Sequence, residues 1–543
     1  MRRLALFVLL LLGFSVSFAE VVSQRRAQQY VIDKVIPMIN PVAEIGEVTP
    51  VYHNDCLVYY VFNLQPEGWA LVSATDAVKP LLGYNHTDHY VLDQEMDNNA
   101  AWMRSYANDI KKAIDEKDTP IKDWDKMDNG AATRAKGSRV DPLITVTWNQ
   151  GNPYNKYCPS DANGRAVVGC VAVAMAQAMS VAKYPSRPVG EFSYTHGTYG
   201  SLYINYDEED AYNWENILTG ANSKDDVAKL LYHCGVSVKM DYSPGGSGTQ
   251  SSYVPNAMKR NFAYPDVVTY QSRSSYSGDW EQLVIDELEE GRAVYYSGHD
   301  PIKNYGHAFN LDGYDGNSMY HVNWGWGGVN NGYFTIDGLR DKKMDMDYTA
   351  GHGVVIGIRA PRTAPTDLSL TTTTVSSDTE VGTVVAALEI QSEMKDASYN
   401  YKVTGPYNPV TKRYGAIPFS IDDEGNLVTT KELEVGKEYK AIITVTNKTT
   451  GESFSKEFVI KVIDASAVDT LEYSFEIKQY GNTLEVNSLS YGVMDVYTLQ
   501  GASICQQNLK KGTNTIALDV ISGTYLVKIS IADSIYIHKI YIK

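Results

Sequence analysis

The sequence predicts an α+β fold that continues into two all-β domains toward its C-terminal end. Residues 167–179 form a run of small apolar side chains of helical length, whereas residues 293–336 contain four short runs rich in Val, Tyr and Phe that favour strands. Beyond residue 362, strand-like runs of period two recur between polar turns. A helix-rich part, a strand-rich part and a β-only remainder predict an α+β protein with additional β domains.

The composition indicates several ordinary globular domains. With 543 residues, the chain is too long for one hydrophobic core and predicts three or four domains of about 100–200 residues each. The net charge of −17 disfavours binding to nucleic acid or to an anionic membrane. The five cysteines are scattered without pairs at metal-ligand spacing, so we expect neither a metal site nor a cofactor.

The N-terminus has the features of a signal peptide over residues 1–19. Two arginines follow the first methionine, residues 4–14 are apolar, and Ser-Phe-Ala at 17–19 fits a small-x-small cleavage site. The apolar part is short for a bilayer span, and no later stretch reaches 18 apolar residues. We therefore expect no transmembrane segment and an exported chain that begins near Glu20, secreted or held at the cell surface.

Residues 20–139 predict a small folded module with a cleavable tail. Residues 57–64 and 68–74 favour strands, and apolar side chains four apart in 101–116 favour a helix. The module decays into a polar, basic linker of the kind that proteases cut, so we expect cleavage within 130–142, after Lys136 or Arg139. This arrangement suggests an inhibitory prosegment, and the alternative is an ordinary N-terminal domain on a flexible tether.

Residues 140–361 contain a cysteine, a histidine and an Asn/Trp segment at the spacing of papain-like thiol proteases. Cys170 falls near the start of the predicted helix, His307 follows 137 positions later, and the string Asn-Trp-Gly-Trp-Gly-Gly occupies 323–328. A thiol needs a nearby imidazole, and preferably a helix N-terminus, to be held as a thiolate. The layout indicates Cys170 as the nucleophile and His307 as the base that later protonates the leaving amine.

Each assignment has a competitor. The alternative for Cys170 is a buried helix cysteine with a structural role. Cys158 and Cys234 have no histidine and Asn/Trp segment at matching spacing, so we expect them to be structural. His299 and His321 compete with His307 for the role of base.

These segments resemble streptopain, the family of secreted papain-like cysteine peptidases of streptococci. The resemblance rests on Met-Asp-Tyr-Ser-Pro at 240–244, Gly-His-Ala-Phe at 306–309 and the string at 323–328, and it covers residues 140–360. Residues 50–116 resemble the prosegment of that family. The resemblance implies a two-lobed fold with a cleft between the lobes and peptide hydrolysis by a Cys-His pair.

It also implies further site residues. Gln150, rather than its neighbour Asn149, would donate its side-chain amide to the oxyanion. Gly306 would let the substrate backbone approach closely and would bond to it. Gly248 falls in a loop that borders the cleft, where the family has serine, so contact there would be through backbone.

The third member of the catalytic triad stays open between two neighbours. Papain has an asparagine followed by a serine and a tryptophan, whereas here Trp324 follows Asn323 directly. Either Asn323 or Trp324 could orient His307. Trp324 and Trp326 are expected to form walls of the active site.

The remaining chain predicts two β domains. Residues 362–464 favour a β-sandwich of the cadherin or immunoglobulin type. They lack the acidic calcium ligands of cadherins, with Thr446 and Asn447 where paired aspartates would stand. Residues 465–543 resemble the C-terminal sorting domain of type IX secretion, although the family's Pro-Asn-Pro signature is missing. The alternative is a second structural β-sandwich.

Together these observations predict a secreted cysteine endopeptidase that is made as a self-activating zymogen. Its expected partners are protein or peptide substrates, its own prosegment as inhibitor, and secretion machinery contacted through the C-terminal domain. Two alternatives are a catalytically silent papain-like adhesin and a thiol acyltransferase. The presence of Cys170, His307 and Gln150 together argues against a silent copy, and the prosegment favours a protease.

Overall fold

The computed structural model describes most of the chain in two compact units, Met1–Pro361 and Arg362–Lys543. The described residues are 19–92, 97–125, 137–220, 224–300, 305–336, 338–340, 351–394, 397–464, 475–498, 502–531 and 534–542. Except for Ala19, the predicted signal peptide lies outside these ranges, as do residues 126–136 of the predicted linker. Among the described residues, no helix is long and apolar enough to cross a membrane.

The N-terminal module contains the two strands and the helix that the sequence predicts, together with elements that it does not. Its elements are α1 (Gln24–Tyr30), a π-helical turn (Val31–Val35), α2 (Ile36–Ile39), β1 (Glu44–His53), β2 (Cys56–Gln65), β3 (Trp69–Ser73), β4 (Leu81–Asn85), α3 (Asp97–Asp115) and α4 (Lys122–Asp125). The apolar runs of β2 and β3 are almost wholly buried, and this is why the sequence predicts both strands.

The region from 140 to 361 contains the small-residue helix and the four strands that the sequence predicts. Its elements are β5 (Ser160–Asp161), β6 (Gly164–Arg165), α5 (Cys170–Ala182), β7 (Glu191–His196), β8 (Gly200–Asn205), α6 (Trp214–Thr219), α7 (Asp225–Ser237), α8 (Val254–Asn261), β9 (Thr269–Ser272), α9 (Trp280–Glu289), β10 (Val294–Asp300), β11 (Tyr305–Tyr314), β12 (Tyr320–Asn323), β13 (Gly332–Phe334) and β14 (Gly353–Ile356).

One antiparallel sheet of ten strands runs through both regions. Its order is β1-β2-β3-β4-β13-β12-β11-β10-β14-β9, so β4 of the N-terminal module pairs directly with β13. The pairs are Tyr84 with Tyr333 and Gly83 with Phe334. A side chain at Gly83 would meet the Phe334 ring at 2.9 Å, so glycine permits this approach. The module is therefore a continuation of the sheet, where the sequence suggested a fold of its own.

The two faces of β11 belong to different hydrophobic cores. Ala308 packs in the core around α5, whereas Phe309 packs in the core around α3, with Trp102 of that helix. Because successive strand residues point to opposite faces, α5 and α3 cover β11 from opposite sides. The N-terminal module thus shares with α9 the packing on one face of the central strand.

The second unit is all-β, as the sequence predicts. Its first strands are β15 (Asp367–Leu370), β16 (Thr374–Ser376), β17 (Val384–Gln391), β18 (Tyr399–Thr404), β19 (Tyr407–Asn408), β20 (Arg413–Tyr414), β21 (Phe419–Ile421), β22 (Asn426–Thr429), β23 (Glu438–Asn447) and β24 (Ser453–Ile463). They form two four-stranded sheets, β15-β17-β22-β21 and β16-β24-β23-β18, and a separate hairpin of β19 and β20. The Asn447 amide donates to Thr363 O (2.9 Å) and its oxygen accepts from Thr449 N, so this side chain closes a turn.

The C-terminal strands form two further sheets around a core of their own. They are β25 (Phe475–Tyr480), β26 (Thr483–Ser488), β27 (Gly492–Thr498), β28 (Ser503–Leu509), β29 (Gly512–Ala517), β30 (Gly523–Ile531) and β31 (Ser534–Ile542). The sheet orders are β25-β26-β29 and β28-β27-β30-β31. Period-two alternation is clearest in β30, whose residues alternate between buried and half-buried positions.

Candidate active site

Cys170 is the first residue of α5 and follows a glycine that no other residue could replace without strain. Gly169 has φ 91° and ψ 137°. A Cβ there would lie 2.7 Å from Met240 Sδ and 3.0 Å from Ser247 O. The thiol therefore stands at the N-terminus of the helix, where backbone N–H groups without helical partners favour a thiolate.

A cavity of about 1010 Å³ brings six of the predicted site residues together. They are Cys170, His307, Gln150, Trp326, Gly306 and Gly248. The loop 245–252 forms another part of its wall. All the residues that line it lie between 149 and 351, so no described residue of the N-terminal module enters the cavity.

Gln150 is held close to the nucleophile by the backbone. Its carbonyl accepts from Val168 N (2.9 Å), two residues before Cys170, and its own N–H donates to Asn149 Oδ1 (2.6 Å). Asn149 and Gln150 both line the cavity, and the Asn149 oxygen is engaged with the backbone. The preference for Gln150 as the donor to substrate therefore stays a prediction from the family resemblance.

The histidine candidates separate into two places. His307 and His299 both line the cavity, on the paired strands β11 and β10, where Gly306 stands opposite His299. His321 lies elsewhere, in a second cavity of about 860 Å³, with its Nδ1 2.6 Å from the buried carboxylate of Asp312. His321 is therefore not a candidate for the base of this site.

Asn323 and Trp324 do not line the cavity. Asn323 is buried; its Oδ1 accepts from Gln177 Nε2 (3.1 Å) and from Gly325 N (3.2 Å), and its Nδ2 donates to Val146 O (3.0 Å). Trp324 is buried against Phe309, with 4.9 Å between ring centroids. Both residues support the cleft from within the core, and of the two predicted tryptophan walls only Trp326 reaches the cavity.

The other buried cysteines of this region are held as neutral thiols. Burial raises the pKa of Cys158 to about 12, and burial likewise raises the pKa of Cys234. Cys170 is only partly buried and faces the cavity. Of these three cysteines, Cys170 is the one whose place at a helix N-terminus and in the cavity favours a thiolate.

Tyr295 lies behind the cleft and was not singled out in the sequence. Burial raises its pKa well above the usual value, a hydrogen bond with Ser251 opposes this effect, and Cys170 adds to it. Its Oη lies 2.8 Å from Ser251 Oγ in the cavity wall. A phenol that stays neutral brings no competing negative charge near the thiol.

The N-terminal module contacts the residues that follow the two tryptophans. Asn330 exchanges hydrogen bonds with Val91, donating to its O and accepting from its N, both at 2.8 Å. Tyr106 Oη donates to Thr335 O (2.7 Å), and Arg340 donates to Asp118 (2.7 Å). The module therefore holds Asn330, Thr335 and Arg340.

Acidification should destabilise the full-length protein through His352, which is buried beside the module. Its ring stacks on Trp102 at 5.9 Å, and its Nδ1 lies 2.8 Å from Tyr296 Oη. Burial, and then the charge of Arg273, lowers the pKa of His352 to about 3. Between the ordinary pKa of about 6.5 and this value, only the unfolded chain binds the proton, so stability falls as pH falls, by up to about 1.4 kcal/mol per pH unit.

Thermal unfolding of the inactive Cys170→Ala chain between pH 7 and pH 5 measures this effect. We expect the His352→Gln variant, which cannot take up the proton, to lose less stability over this range than its parent. His538→Gln, the same change at an exposed position, is the matched control and should leave the slope unaltered. Equal slopes for the His352→Gln variant and its parent would refute the assignment.

A cysteine at a helix N-terminus and a histidine that line one cavity, together with an N-terminal module built into the same sheet, are the arrangement of a thiol peptidase with an attached prosegment. Residues 148–334 match the Peptidase C10 family, and residues 22–110 match the Spi protease inhibitor family. Streptopain of Streptococcus pyogenes is 33% identical over 334 residues, which cover 55% of this chain and 80% of streptopain. The chain belongs to the streptopain family and is a cysteine-type endopeptidase made as a zymogen.

Two further proteins are similar over the same part of the chain. Thiol protease/hemagglutinin PrtT of Porphyromonas gingivalis is 32% identical over 329 residues, which cover 55% of this chain and 37% of that protein. Among solved structures, a fragment of prointerpain A of Prevotella intermedia has a TM-score of 0.48 and 28% identity, and the match covers 58% of this chain and 99% of the fragment.

Sequence reasoning missed the buried amides of Gln177 and Asn310, which connect α5 to β11. Asn310 Nδ2 donates to Gln177 Oε1 (3.1 Å) and to Ala174 O (3.1 Å). One signal was available, because Gln177 is the only polar residue between positions 171 and 179. A lone amide inside an apolar helix needs a polar partner, and that partner is often functional.

Proposed function

We propose that Cys170, His307 and Gln150 carry out peptide hydrolysis in a secreted, self-activating zymogen. The observation that carries this proposal is that the three side chains line one cavity at the N-terminus of α5. His299 lies in the same cavity, and the Gly-His-Ala-Phe string favours His307 over it.

The chemistry follows from these positions. The Cys170 thiolate attacks the scissile carbonyl carbon, a C–S bond forms, and the negative charge moves to the carbonyl oxygen. The Gln150 amide and the Cys170 N–H stabilise that oxyanion. His307 then gives its proton to the nitrogen of the leaving amine as the C–N bond breaks, and water hydrolyses the thioester.

The substrates we propose are protein or peptide chains in an extended conformation. Gly306 and Gly248 line the cavity. A Cβ added at Gly306 would meet only Gly298 O, at 3.4 Å, and one added at Gly248 would meet no described atom within 4 Å. Both positions leave room for a peptide backbone to lie against the wall and to form backbone hydrogen bonds.

We further propose how the chain is divided and exported. Residues 1–19 would be the signal peptide, 20–139 the prosegment, 140–361 the catalytic domain, 362–464 a β-sandwich and 465–543 the domain that contacts type IX secretion machinery. The paired strands β30 and β31 carry the Gly-Thr-Tyr-Leu-Val-Lys string and the basic, apolar C-terminus that support the last assignment. The product would be secreted or held at the cell surface.

The prosegment is proposed to inhibit from behind the cleft. It holds Asn330 and Thr335 by hydrogen bonds. It also packs Trp102 against Phe309, which lies two residues after His307 on β11. By strand alternation His307 shares the Phe309 face, which the prosegment covers. Release of the prosegment would therefore change the packing on the face of β11 that carries the base.

The contacts of residues 138–144 favour cleavage before this segment. Ser138 N donates to Glu289 Oε1 (2.5 Å), and Val140 and Tyr314 exchange backbone hydrogen bonds at 2.8 Å. A protease binds a stretch of chain that is extended and free of other contacts. Cleavage after Arg139 would therefore require Ser138 and Val140 to detach first, whereas cleavage after Lys136 would leave their hydrogen bonds intact. We therefore favour Lys136 of the two expected positions.

Self-activation predicts that the Cys170→Ala chain accumulates uncut and is converted when wild-type enzyme is added. Gel analysis and N-terminal sequencing of the product measure both the conversion and the cleavage position. Lys136→Gln should slow conversion, and the matched change Arg139→Gln should not. Equally fast processing of the inactive chain alone would exclude self-activation, and a wild-type chain that never converts would favour the silent adhesin.

A further inference from the structure

A chain of three buried amides links the four segments that carry the proposed site. Gln177 lies on α5, two helical turns after Cys170, and is completely buried. Asn310 lies on β11, three residues after His307, and Asn323 lies opposite Asn310 on β12. Asn310 and Asn323 are also almost completely buried.

The direction of every hydrogen bond in this chain is fixed by backbone groups at its ends. Asn323 must present its oxygen to Gly325 N and its amino group to Val146 O. Its oxygen therefore also accepts from Gln177 Nε2, at 3.1 Å. Gln177 is then left to accept, through Oε1, from Asn310 Nδ2.

The same chain reaches the segment of the oxyanion donor. Val146 O, which accepts from Asn323 Nδ2, lies four residues before Gln150. Trp148 O in turn accepts from Gly327 N (3.0 Å), which follows Trp326 of the cavity wall. Nucleophile helix, histidine strand, Asn/Trp segment and glutamine segment are thus bonded to one another through Gln177 and its two partners.

Apolar packing alone would not fix the position of α5 along β11. Apart from Gln177, the helix presents alanine, valine and methionine between positions 171 and 179, and Ala308 meets it from the strand. Contacts between such side chains are non-directional, and small residues let two elements slide past each other by a fraction of an ångström. Directional hydrogen bonds at the centre of the contact remove that freedom.

We propose that Gln177 is a positioning residue that sets the place of Cys170 relative to His307. It touches no substrate and acts through the amides of Asn310 and Asn323. This role rests on the proposed function of Cys170 and His307. Because small misplacements of reacting groups reduce turnover strongly, loss of the link should lower kcat and leave KM nearly unchanged.

Two substitutions of Gln177 test this role from different sides. In Gln177→Glu the carboxylate can still accept from Asn310 but cannot donate to the Asn323 oxygen, so one bond is lost with almost no change of shape. In Gln177→Met both bonds are lost without adding a charge. The matched control is Ser180→Ala on the same helix, because Ser180 donates to the Gln177 backbone carbonyl and not to the amide chain.

The variants are made as full-length chains and converted by a trace of removable wild-type enzyme, and two quantities are measured. We expect both Gln177 variants to lose about tenfold to a hundredfold in kcat, with KM changed by less than about threefold. We also expect the pH profile of iodoacetamide alkylation at Cys170 to move to higher pH in both, because a looser imidazole contact raises the thiol pKa. Ser180→Ala should match the parent in both measurements.

Several outcomes would overturn the role of Gln177. A lower melting temperature with unchanged kcat and an unchanged alkylation profile would make Gln177 structural only. A shifted profile in Gln177→Glu alone would mean that the added charge acts, and not the lost bond. If Gln177→Glu fails to fold, Gln177→Met, which adds no charge, decides the question.

Failure of the proposed function gives a different result. In that case, alkylation of Cys170 in the parent enzyme would leave peptide hydrolysis intact, whatever the Gln177 variants do.

Discussion

Replacing Cys170 with alanine is expected to abolish peptide hydrolysis and to leave the fold unchanged. The thiolate is the atom that forms the covalent bond to substrate, so its removal eliminates the reaction path and not merely one of its stabilising contacts. The side chain is partly exposed to the cavity, so the smaller alanine leaves no sealed void and should cost little stability. Turnover of a fluorogenic peptide, after conversion by wild-type enzyme, and the melting temperature together measure the effect.

Chemical labelling locates the nucleophile independently. An epoxysuccinyl or iodoacetamide probe should stop hydrolysis, and mass spectrometry should place the label on Cys170. Cys505→Ala, a change of the same type in the C-terminal domain, is the matched control and should retain full activity. Full activity of Cys170→Ala, or labelling mainly at Cys158 or Cys234, would contradict the assignment.

Gln150→Ala is expected to lower kcat by roughly 10²–10³ with little change in KM. The amide would act on the charge that develops on the carbonyl oxygen, and one such donor contributes about 2.7–4 kcal/mol to transition-state stabilisation. Gln150 is nearly buried, and its backbone is fixed to Val168, so the amide is already in place before substrate arrives.

Steady-state kinetics of the converted enzyme separate the two constants. Gln250→Ala is the matched control, because Gln250 also lines the cavity but lies in the loop 245–252, away from the turn before Cys170. A change confined to KM would mean that Gln150 binds substrate without acting on the transition state. An equal fall of kcat in both variants would show a general disturbance of the cleft.

The parts of the site that the sequence predicts are those with local signatures. The helix of small side chains that begins at Cys170 can be predicted because a helix buried on nearly all sides must be apolar over its whole length. Strands β11 and β12 can be predicted because their apolar runs are short and bounded by turns. The spacing along the chain predicts Cys170 and His307 as partners. The presence of Gln150 in the same cavity depends on long-range folding and is expected only through the resemblance to a family.

The parts that escaped prediction depend on contacts without a local pattern. β4 and β13 pair through only two residue pairs, whose members are far apart in the sequence. Neither strand therefore has a local pattern that would predict a sheet shared by the N-terminal module and the region 140–361. The direction of the Asn323 amide is set by Gln177, Gly325 and Val146 in three different segments. The sequence leaves His321 open as a candidate for the base, whereas in the structure Asp312 engages its ring.

The joint sheet has a consequence for the lifetime of the processed enzyme. Cleavage after Lys136, as proposed, would leave β13 as an edge strand and would expose to water the side of Phe309, Trp324 and Phe334 that Trp102 covers. An exposed edge strand and an exposed aromatic surface both favour self-association. Because β13 has only three residues, it offers few backbone groups with which another strand could pair. Export of the uncut chain, as proposed, would delay the exposure of this surface until cleavage, when the peptidase is already dilute outside the cell.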